Sequence, residues 1–441
     1  MTDKTRRMDP IGLGVRVLTR FAGSPLSARL KLHGPASALI RSGAQVGFGA
    51  VNSAGRQFKA VRNWSASSRG SRPPRQDLFD LTPSDEQQMI AETMEQVAAE
   101  LLRPNAEAAE ADGAPSAELQ AQANELGVLA MAIPEALGGA MSERSTVTSA
   151  LIAESLSHGD MGIAVSLLAT PSVALLLTDY GNAAQQGAFL APMTEEENAP
   201  TASLAITEER ALFAPHDLGT RVRQDGAKLR LSGTKSLVVN GSRSDFFVVA
   251  ARSPEGAPAL YIVEAAAPGI QVEAQPAMGL RAAGLSRVRF KDVELRDDAA
   301  LELGEGDYDR IIASARAAWC ALAVGTATAV RDYCIPYANE RQAFGEPISH
   351  RQSVAFMIAN MGIERDGLRL ATLRAASRLE QGEDALREVQ LARTLAARHA
   401  MQIASDGVQI FGGHGFVKEY PVERWYRDLR ATALMEGAVL L

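Results

Sequence analysis

The spacing of apolar residues changes twice along this chain. From about residue 79 to 200, apolar side chains recur every three or four positions, which is the period of an amphipathic helix. Between about 201 and 300 they alternate with polar residues in short runs that end at turn residues, which indicates β-strands. Helical spacing returns from 301 to 441. The pattern predicts an α+β protein with an N-terminal helical domain, a central antiparallel β-domain and a C-terminal helical bundle.

Local signals place individual elements within these regions. A helix is expected to begin at residues 82–86, where N-cap oxygens precede two acids. The further predicted elements are helices over residues 117–126, 145–157 and 161–180, strands over 228–233, 246–250, 260–263 and 288–293, and bundle helices over 311–341, 352–379 and 384–406. The strands follow one another without helices between them, which favours an antiparallel sheet.

Charge is divided unevenly along the sequence. Residues 1–75 contain 14 lysines and arginines but only two acids, a net charge of +12, so the whole-chain charge of −7 leaves −19 for the rest. Residues 1–78 are therefore predicted to be a basic N-terminal extension, with a linker rich in Ser, Arg and Pro at 65–75. Three interpretations stay open: a solvated tail, a basic amphipathic segment on an anionic membrane surface, and an organelle-targeting peptide.

These interpretations set the expected location and partners of the extension. The first two predict a cytoplasmic protein, membrane-associated in the second case, and a targeting peptide predicts the mitochondrial matrix. Nucleic-acid binding is unlikely, because aromatic residues that could stack on bases are scarce in the extension. No uninterrupted apolar run approaches the roughly 18 residues of a spanning helix, so no integral membrane protein is predicted. Cys320 and Cys334 lie in an apolar helical stretch without a Cys/His cluster, so no metal site is predicted.

The most specific motif lies in the last 33 residues of the sequence. Residues 409–441 read QIFGGHGFVKEYPVERWYRDLRATALMEGAVLL, in which a glycine-rich turn at 412–415 precedes the tripeptide at 435–437. This segment resembles the C-terminal signature of the acyl-CoA dehydrogenase family. In that pattern, Glu436 stands where the family keeps its catalytic base.

Four further motifs occur in the order expected of the same family. They are the turn after the early helices at 125–139, a flavin-contacting strand end at 205–208, a second flavin-contacting segment at 232–241, and the Arg-x-x-Phe-Gly element at 341–345, followed by Gln352 and Met361. The resemblance covers residues 79–441 and implies the α, β, α order of that family. It also implies the family's activity, which is oxidation of an acyl-CoA thioester between Cα and Cβ.

The resemblance further implies roles for individual residues. Glu436 is the expected base, and Arg316 and Gly437 are expected to contact the substrate. The expected contacts of the FAD cofactor are Thr207, Arg341, Phe344, Gln352, Gln409 and Gly413. A homodimer or homotetramer is expected, because in this family one subunit's glycine-rich turn reaches a neighbour's cofactor. Electrons are expected to pass to an electron-transfer flavoprotein or to a membrane electron carrier.

The chemistry of such a reaction needs a base and a hydride acceptor. A proton leaves Cα and a hydride leaves Cβ, and no side chain accepts a hydride, so the N5 atom of a flavin is the expected acceptor. The base must lie within hydrogen-bond reach of Cα. A carboxylate can serve where a desolvated site raises its pKa toward neutrality, and Glu436 is the candidate. The guanidinium of Arg341 suits the cofactor's diphosphate, and the resemblance places Phe344 at the adenine end.

Two segments depart from the family pattern near the flavin. Residues 209–215 replace a loop rich in Pro, Gly, Ser and Asp that touches the cofactor and the CoA in the family. Leu237 and Val239 stand where the family has Trp and Thr, which removes an aromatic ring and a hydroxyl. These departures leave open a drifted family member, such as a flavin oxidase or an enzyme for an unusual acyl thioester. The basic extension leaves open a further alternative, a non-enzymatic homologue associated with nucleic acid or a membrane.

Overall fold

The computed structural model describes residues 83–195 and 199–441. The basic extension of residues 1–78 lies outside the described residues. Its predicted roles as a solvated tail, a membrane-binding segment or a targeting peptide therefore stay predictions.

The N-terminal part of the described chain is helical. Its α-helices are α1 (Asp85–Val97), α2 (Arg103–Asp112), α3 (Ala117–Glu125), α4 (Thr146–Gly159), α5 (Met161–Tyr180) and α6 (Ala183–Gln185). Serine side chains cap α1, α3 and α4 by accepting hydrogen bonds from backbone N–H groups of the first turn. At α1, Ser84 and Gln87 form a reciprocal capping box, which confirms the helix start predicted at residues 82–86.

Two long helices form the centre of the helical regions. These are α5 and the first bundle helix, α7 (Asp307–Glu340), and both could cross a membrane by length and composition alone. Most of each helix is instead buried inside the protein. In α7, a Cβ added to Gly325 would come within 1.9 Å of the backbone oxygen of Glu154 in α4. Helices α7 and α4 therefore pack backbone against backbone at this point, and glycine permits that close approach.

The central region forms a mixed β-sheet. Its strands are β1 (Ala202–Ala205), β2 (Arg221–Asp225), β3 (Lys228–Val238), β4 (Phe246–Arg252), β5 (Pro258–Glu264), β6 (Ile270–Ala274) and β7 (Ser286–Glu294), in the order β1-β4-β2-β3-β7-β6, with β5 also paired to β4. The β2–β3, β3–β7, β4–β5 and β6–β7 pairs are antiparallel. The expectation of an antiparallel domain is corrected at β1 and β2, which both pair with β4 in parallel. Residues 206–245 separate β1 from β4, and a connection of that length permits parallel pairing.

Strand β4 shows how the sheet joins the helical region. Phe246 and Val248 belong to a buried apolar cluster that includes residues of α5. Phe247 and Val249 point the other way, into a cluster formed within the β-region. One face of the sheet thus packs on helices, which carries the end of β1 into the interior of the protein.

The C-terminal region is a helical bundle. Its helices are α7, α8 (Gln352–Glu380), α9 (Leu386–Leu395), α10 (Met401–Phe411) and α11 (Val422–Leu429), with a small hairpin of β8 (Gln342–Ala343) and β9 (Glu346–Pro347) between α7 and α8. The single helix predicted over 384–406 is divided into α9 and α10 by a π-helical turn, Ala396–Ala400. Such a turn inserts one residue without interrupting the apolar spacing, so periodicity alone did not separate the two helices.

Candidate active site

Glu436 lies on a short irregular segment that follows the last helix of the bundle. A 3₁₀ turn, Arg430–Ala433, precedes this segment, and the Glu436 side chain is only 8% exposed. The next residue, Gly437, has a φ of +76°, and a Cβ there would come within 2.8 Å of the Ile206 side chain. The turn that buries Glu436 therefore requires glycine at position 437.

Two arginines surround the Glu436 carboxylate. Arg316 of α7 donates from Nε to Oε2 at 2.9 Å and from Nη2 to Oε1 at 2.8 Å, so the pair is bidentate. Arg393 of α9 donates from Nη2 to Oε1 at 3.2 Å and to the backbone oxygen of Met435 at 2.8 Å. The predicted base and the predicted substrate contact Arg316 are thus brought together.

This cluster carries a net positive charge. Burial lowers the pKa of Arg393, Glu436 opposes that effect, and Arg316 adds to it. A guanidinium remains protonated nevertheless, so two positive charges face one carboxylate. Arg393 Nη1 is buried and has no hydrogen-bond partner among the described residues. The arrangement can therefore stabilise one additional anion beside Glu436.

The end of β1 lies against the same segment. The Thr207 hydroxyl donates a hydrogen bond of 3.0 Å to the backbone oxygen of Glu436. Both side chains are buried, although 229 residues separate them in the sequence. One predicted flavin contact and the predicted base are therefore direct neighbours.

A buried ion pair continues from Thr207 into the sheet. Lys235 is fully buried, and its Nζ lies 2.9 Å from Glu208 Oε1 and 2.9 Å from the Ile206 backbone oxygen. Burial lowers the pKa of Lys235 to about 8, although Glu208 opposes this change. For Glu208, burial acts to raise the pKa, but Lys235 and hydrogen bonds from Thr220 outweigh it and lower the pKa. The pair holds the end of β1 to β3 beneath the site.

The other predicted flavin contacts lie at one end of the bundle. They are Arg341, Phe344, Gln352, Gln409 and Gly413, and all are exposed. Tyr337 joins the ends of α7 and α10 that carry most of them, because its ring stacks on Phe411 at 3.8 Å and its hydroxyl lies 3.0 Å from His414 Nδ1. In the part of the chain that the structure describes, no side-chain hydrogen bond or ring contact joins these five residues to Thr207 or Glu436.

Phe344 is presented by a strained turn. Phe344 and Gly345 connect β8 to β9 with φ values of +56° and +82°, the pattern of a type I′ turn. Such turns favour Asn-Gly, and a bulky residue with positive φ costs on the order of 1–2 kcal/mol. The ring is nevertheless 95% exposed, with the Arg351 guanidinium 5.6 Å from its centre. A strained and exposed aromatic ring indicates a role in binding.

One large cavity lies away from this carboxylate. It measures about 1120 Å³, and its polar lining includes Gln120, Asn124 and Arg243. Neither Glu436 nor Arg316 lines it. The volume of this cavity therefore does not single out Glu436 or Arg316, whose candidacy rests on the chemistry of their side chains.

Comparison with known proteins establishes the family. The description "Acyl-CoA dehydrogenase, N-terminal domain" matches residues 84–197, the middle domain of that family matches 203–293, and its C-terminal domain matches 309–439. A 3-(aryl)acrylate reductase of Clostridium sporogenes is 30% identical over 323 residues, which cover 70% of this chain and 84% of that protein. The chain belongs to the acyl-CoA dehydrogenase family.

Two further comparisons agree with this assignment. A cyclohexane-1-carbonyl-CoA dehydrogenase of Geobacter metallireducens is 28% identical over 365 residues, which cover 80% of this chain and 94% of that protein. The solved structure of butyryl-CoA dehydrogenase from Megasphaera elsdenii has a TM-score of 0.74 and 26% identity, and the match covers 81% of this chain and 96% of that one. The predicted family, fold class, enzyme class and FAD cofactor are confirmed at the level of the family. The protein is a flavoprotein oxidoreductase of the acyl-CoA dehydrogenase family, whose substrate class is acyl-CoA.

The departures from the family pattern are visible in this acyl-CoA dehydrogenase. The loop of residues 209–215 is bound to the start of α7, where the Tyr308 hydroxyl donates to the Pro215 backbone oxygen at 2.8 Å. Leu237 has a φ of +53°, and Val239 is buried. Apolar side chains therefore occupy positions where the family pattern has an aromatic ring and a hydroxyl.

Arg393 is the site residue that sequence reasoning missed in this acyl-CoA dehydrogenase. It lies on the buried face of α9, beside the apolar positions Val389 and Ala392. An arginine is rarely buried unless it is paired, so its place on an apolar stripe was the available signal. The stripe does not indicate which acid is the partner, because that acid lies 43 residues away.

Proposed function

We propose that this protein removes a proton from Cα and a hydride from Cβ of an acyl-CoA thioester, with Glu436 as the base. The main support is the buried Glu436 carboxylate, which Arg316 holds in a bidentate pair beside Thr207. FAD, when bound, supplies at its N5 atom the acceptor for the hydride that leaves Cβ.

The charges around Glu436 suit proton transfer to that residue. The ionised carboxylate is the form that accepts a proton, and the guanidiniums of Arg316 and Arg393 hold it in place by donating hydrogen bonds to it. When the Cα proton moves to Glu436, the negative charge moves to the enolate oxygen of the thioester. Arg316 and Arg393 then remain as uncompensated positive charges beside that oxygen, and the buried Nη1 of Arg393 is free to donate to it.

The exposed end of the bundle fits FAD. Arg341 offers a guanidinium for the diphosphate, and Phe344 offers a ring for the adenine. Gln352 and Gln409 add amide groups, and the exposed backbone at Gly413 permits close approach. Together these groups match the parts of a dinucleotide better than the groups of an ordinary solvent-exposed surface would.

Among the described residues, no side-chain hydrogen bond joins this surface to Thr207, and the family resemblance implies a cofactor shared between two copies of the chain. We propose that the bundle end of one subunit and the Thr207 strand end of its neighbour hold the same FAD, in a homodimer or homotetramer. We further propose that electrons pass on to an electron-transfer flavoprotein or to a membrane electron carrier.

A flavin oxidase is the second candidate function. Leu237 and Val239 favour it, because they replace the ring and the hydroxyl that the family pattern places beside the flavin. An oxidase would consume oxygen and form peroxide with acyl-CoA, whereas a dehydrogenase would turn over only with an added electron acceptor. Oxygen uptake during turnover distinguishes the two.

The direct test is anaerobic titration of the purified full-length protein with acyl-CoAs of graded chain length. The protein should carry a flavin spectrum, and a suitable acyl-CoA should bleach it. Glu436→Gln should retain the flavin but bleach about 10²–10⁴ times more slowly, which is the usual contribution of a positioned base. Glu305→Gln, at an exposed position, is the matched control. A protein that binds no FAD would refute the proposal, and bleaching of Glu436→Gln at the normal rate would place the base elsewhere.

A further inference from the structure

Gln275, which directly follows β6, contacts the predicted flavin-contacting residues 232–241 through its side chain. We define residues 232–241 as the flavin segment. We infer that Gln275 is a positioning residue, whose side chain holds Ser236 and Leu237 in the conformation that the flavin segment presents to FAD. This inference rests on the proposed function, because it takes the flavin segment as a contact of the cofactor.

The flavin segment contains a β-bulge. Lys235 is paired with Val288 and Val238 with Ser286, so β3 advances by three residues while β7 advances by two. The extra residue interrupts the ladder between the two strands. At this point Leu237 has a φ of +53°, a left-handed conformation that is unfavourable for leucine. Contacts outside the ladder must therefore stabilise this conformation.

The Gln275 side chain forms hydrogen bonds with both bulged residues. Its Oε1 accepts from the Leu237 N–H at 2.8 Å, and its Nε2 donates to Ser236 Oγ at 2.9 Å. A backbone N–H that is not used by a ladder needs another acceptor, and for Leu237 this acceptor is the amide oxygen of Gln275. One side chain thus fixes two consecutive residues of the flavin segment.

The bulge also adjoins the proposed base. The Ser236 N–H donates to the Thr207 backbone oxygen at 2.9 Å, and the Thr207 hydroxyl donates to the Glu436 backbone oxygen at 3.0 Å. Hydrogen bonds therefore connect Gln275 to Glu436 through Ser236 and Thr207. A displaced bulge would affect both the flavin segment and the segment that carries the base.

Gln275 is itself held in place, as a positioning residue must be. Its backbone N–H donates to the Leu285 oxygen at 2.8 Å, and the next residue, Pro276, restricts the Gln275 backbone to extended conformations. Further along the same loop, the Leu280 N–H donates to Asp428 Oδ1 of α11 at 2.6 Å. The loop after β6 is thus bonded to the residue before β7 and to the helical bundle.

Loss of the Gln275 hydrogen bonds should disturb the flavin environment more than the fold. The Gln275 side chain is only half-buried, so a replacement of similar length leaves no large cavity. Without the amide, the strained Leu237 backbone is free to relax into other conformations. Groups that act on a cofactor must be held closely in place, so FAD affinity and the rate of proton and hydride removal should both fall.

Hydrogen–deuterium exchange resolved to single amides tests the contact directly, on the full-length protein with FAD bound. Gln275→Met keeps the length of the side chain but removes the amide group. Exchange at the Leu237 amide should accelerate by about three- to tenfold, which corresponds to the loss of one hydrogen bond. Gln271→Met, at an exposed position of β6, is the matched control and should leave this rate unchanged. Unchanged exchange at Leu237 in Gln275→Met would overturn the inference.

Two further measurements distinguish positioning from a purely structural role. Fluorescence titration of the flavin-free Gln275→Met protein should show FAD binding weakened by about three- to tenfold. Bleaching at saturating acyl-CoA should slow by about tenfold, while the acyl-CoA concentration that gives the half-maximal rate should stay near that of the parent protein. Faster exchange at Leu237 with parental FAD affinity and parental bleaching would show a structural role alone and would also overturn the inference.

Two other substitutions at this position complete the test. Gln275→Glu retains oxygens that can accept from the Leu237 N–H and from Ser236 Oγ, so slow exchange and most of the bleaching rate should return. Gln275→Asn keeps the amide but is one methylene shorter, so it should behave like Gln275→Met, and it replaces that variant if methionine prevents folding. Equal behaviour of the glutamate and methionine variants would contradict the inference.

The two proposals can fail separately. If exchange at Leu237 and FAD affinity both respond to Gln275→Met but acyl-CoA does not bleach the parent protein, the positioning role stands and the dehydrogenation chemistry is wrong. If acyl-CoA bleaches the parent protein and Gln275→Met matches it in every measurement, the chemistry stands and the positioning role is wrong.

Discussion

Arg316 donates hydrogen bonds to both carboxylate oxygens of Glu436, from Nε to Oε2 at 2.9 Å and from Nη2 to Oε1 at 2.8 Å. The two residues are 120 positions apart, one inside the long helix α7 and the other on an irregular segment after the bundle. A planar guanidinium that binds a carboxylate in this way fixes the orientation of that carboxylate as well as its charge. The pair therefore determines where the proposed base points.

Loss of this pair should reduce both stability and turnover. Arg316→Ala should lower the free energy of unfolding by about 2–3 kcal/mol, because it leaves the buried Glu436 with Arg393 alone. Arg316→Lys keeps the positive charge but cannot form the bidentate pair. Compared with Arg316→Ala, it should therefore restore the free energy of unfolding more fully than the bleaching rate. Urea unfolding and anaerobic bleaching measure the two effects. Arg331→Ala, on the same helix but paired with Asp332 near the surface, should cost about 0.5 kcal/mol or less. Equal losses in both alanine variants would contradict a special role for Arg316.

Gly437 should tolerate no side chain. Gly437→Ala combines a positive φ with a contact of 2.8 Å to Ile206, so we expect a loss of about 2–4 kcal/mol and a displaced Glu436. Gly187→Ala is the matched control, because nothing lies within 4 Å of its added Cβ. That control should be neutral or slightly stabilising. Thermal unfolding of the two variants decides the point, and a fully stable and active Gly437→Ala would show that the turn can adapt.

Lys235 should make the free energy of unfolding vary with pH in the alkaline range. Its pKa is lowered from 10.5 to about 8, chiefly by burial. Between those values the unfolded chain binds more protons at this residue than the folded chain, so the contribution of Lys235 to the free energy of unfolding rises with pH across that window. Lys235→Met should remove this rise, whereas Lys291→Met, at an exposed position of β7, should retain it. Urea unfolding across the window measures the slopes, and parallel curves for the parent and Lys235→Met would refute the prediction.

Phe344 should destabilise its turn but strengthen FAD binding. Phe344→Asn suits the type I′ turn and should stabilise the flavin-free protein by about 1 kcal/mol, while weakening FAD binding by about tenfold. Phe344→Tyr retains the ring and the strain, so its FAD affinity and stability should stay near those of the parent. Thermal unfolding of the flavin-free protein and fluorescence titration with FAD measure the two quantities. Unchanged FAD affinity in Phe344→Asn would remove the ring from the cofactor site.

Most helices and strands were predictable, because the spacing of apolar residues is a local property. The start of α1 at Ser84 follows from capping chemistry that involves only neighbouring residues. Pairing direction is not local, and the parallel alignment of β1 with β4 was missed for that reason. The division of α9 from α10 was missed because a π-helical turn leaves the apolar spacing almost unchanged.

The sequence by itself determined the order of helical and β regions, the family resemblance and the position of Glu436 after the glycine-rich turn. Only the tertiary structure decided which of the described basic residues pair with that carboxylate, and these are Arg316 and Arg393. It also decided that residues 438–441 are buried between α5 and α7. The reason is physical: periodicity and motifs act over a few residues, whereas ion pairing and burial depend on which distant segments packing brings within a few ångströms.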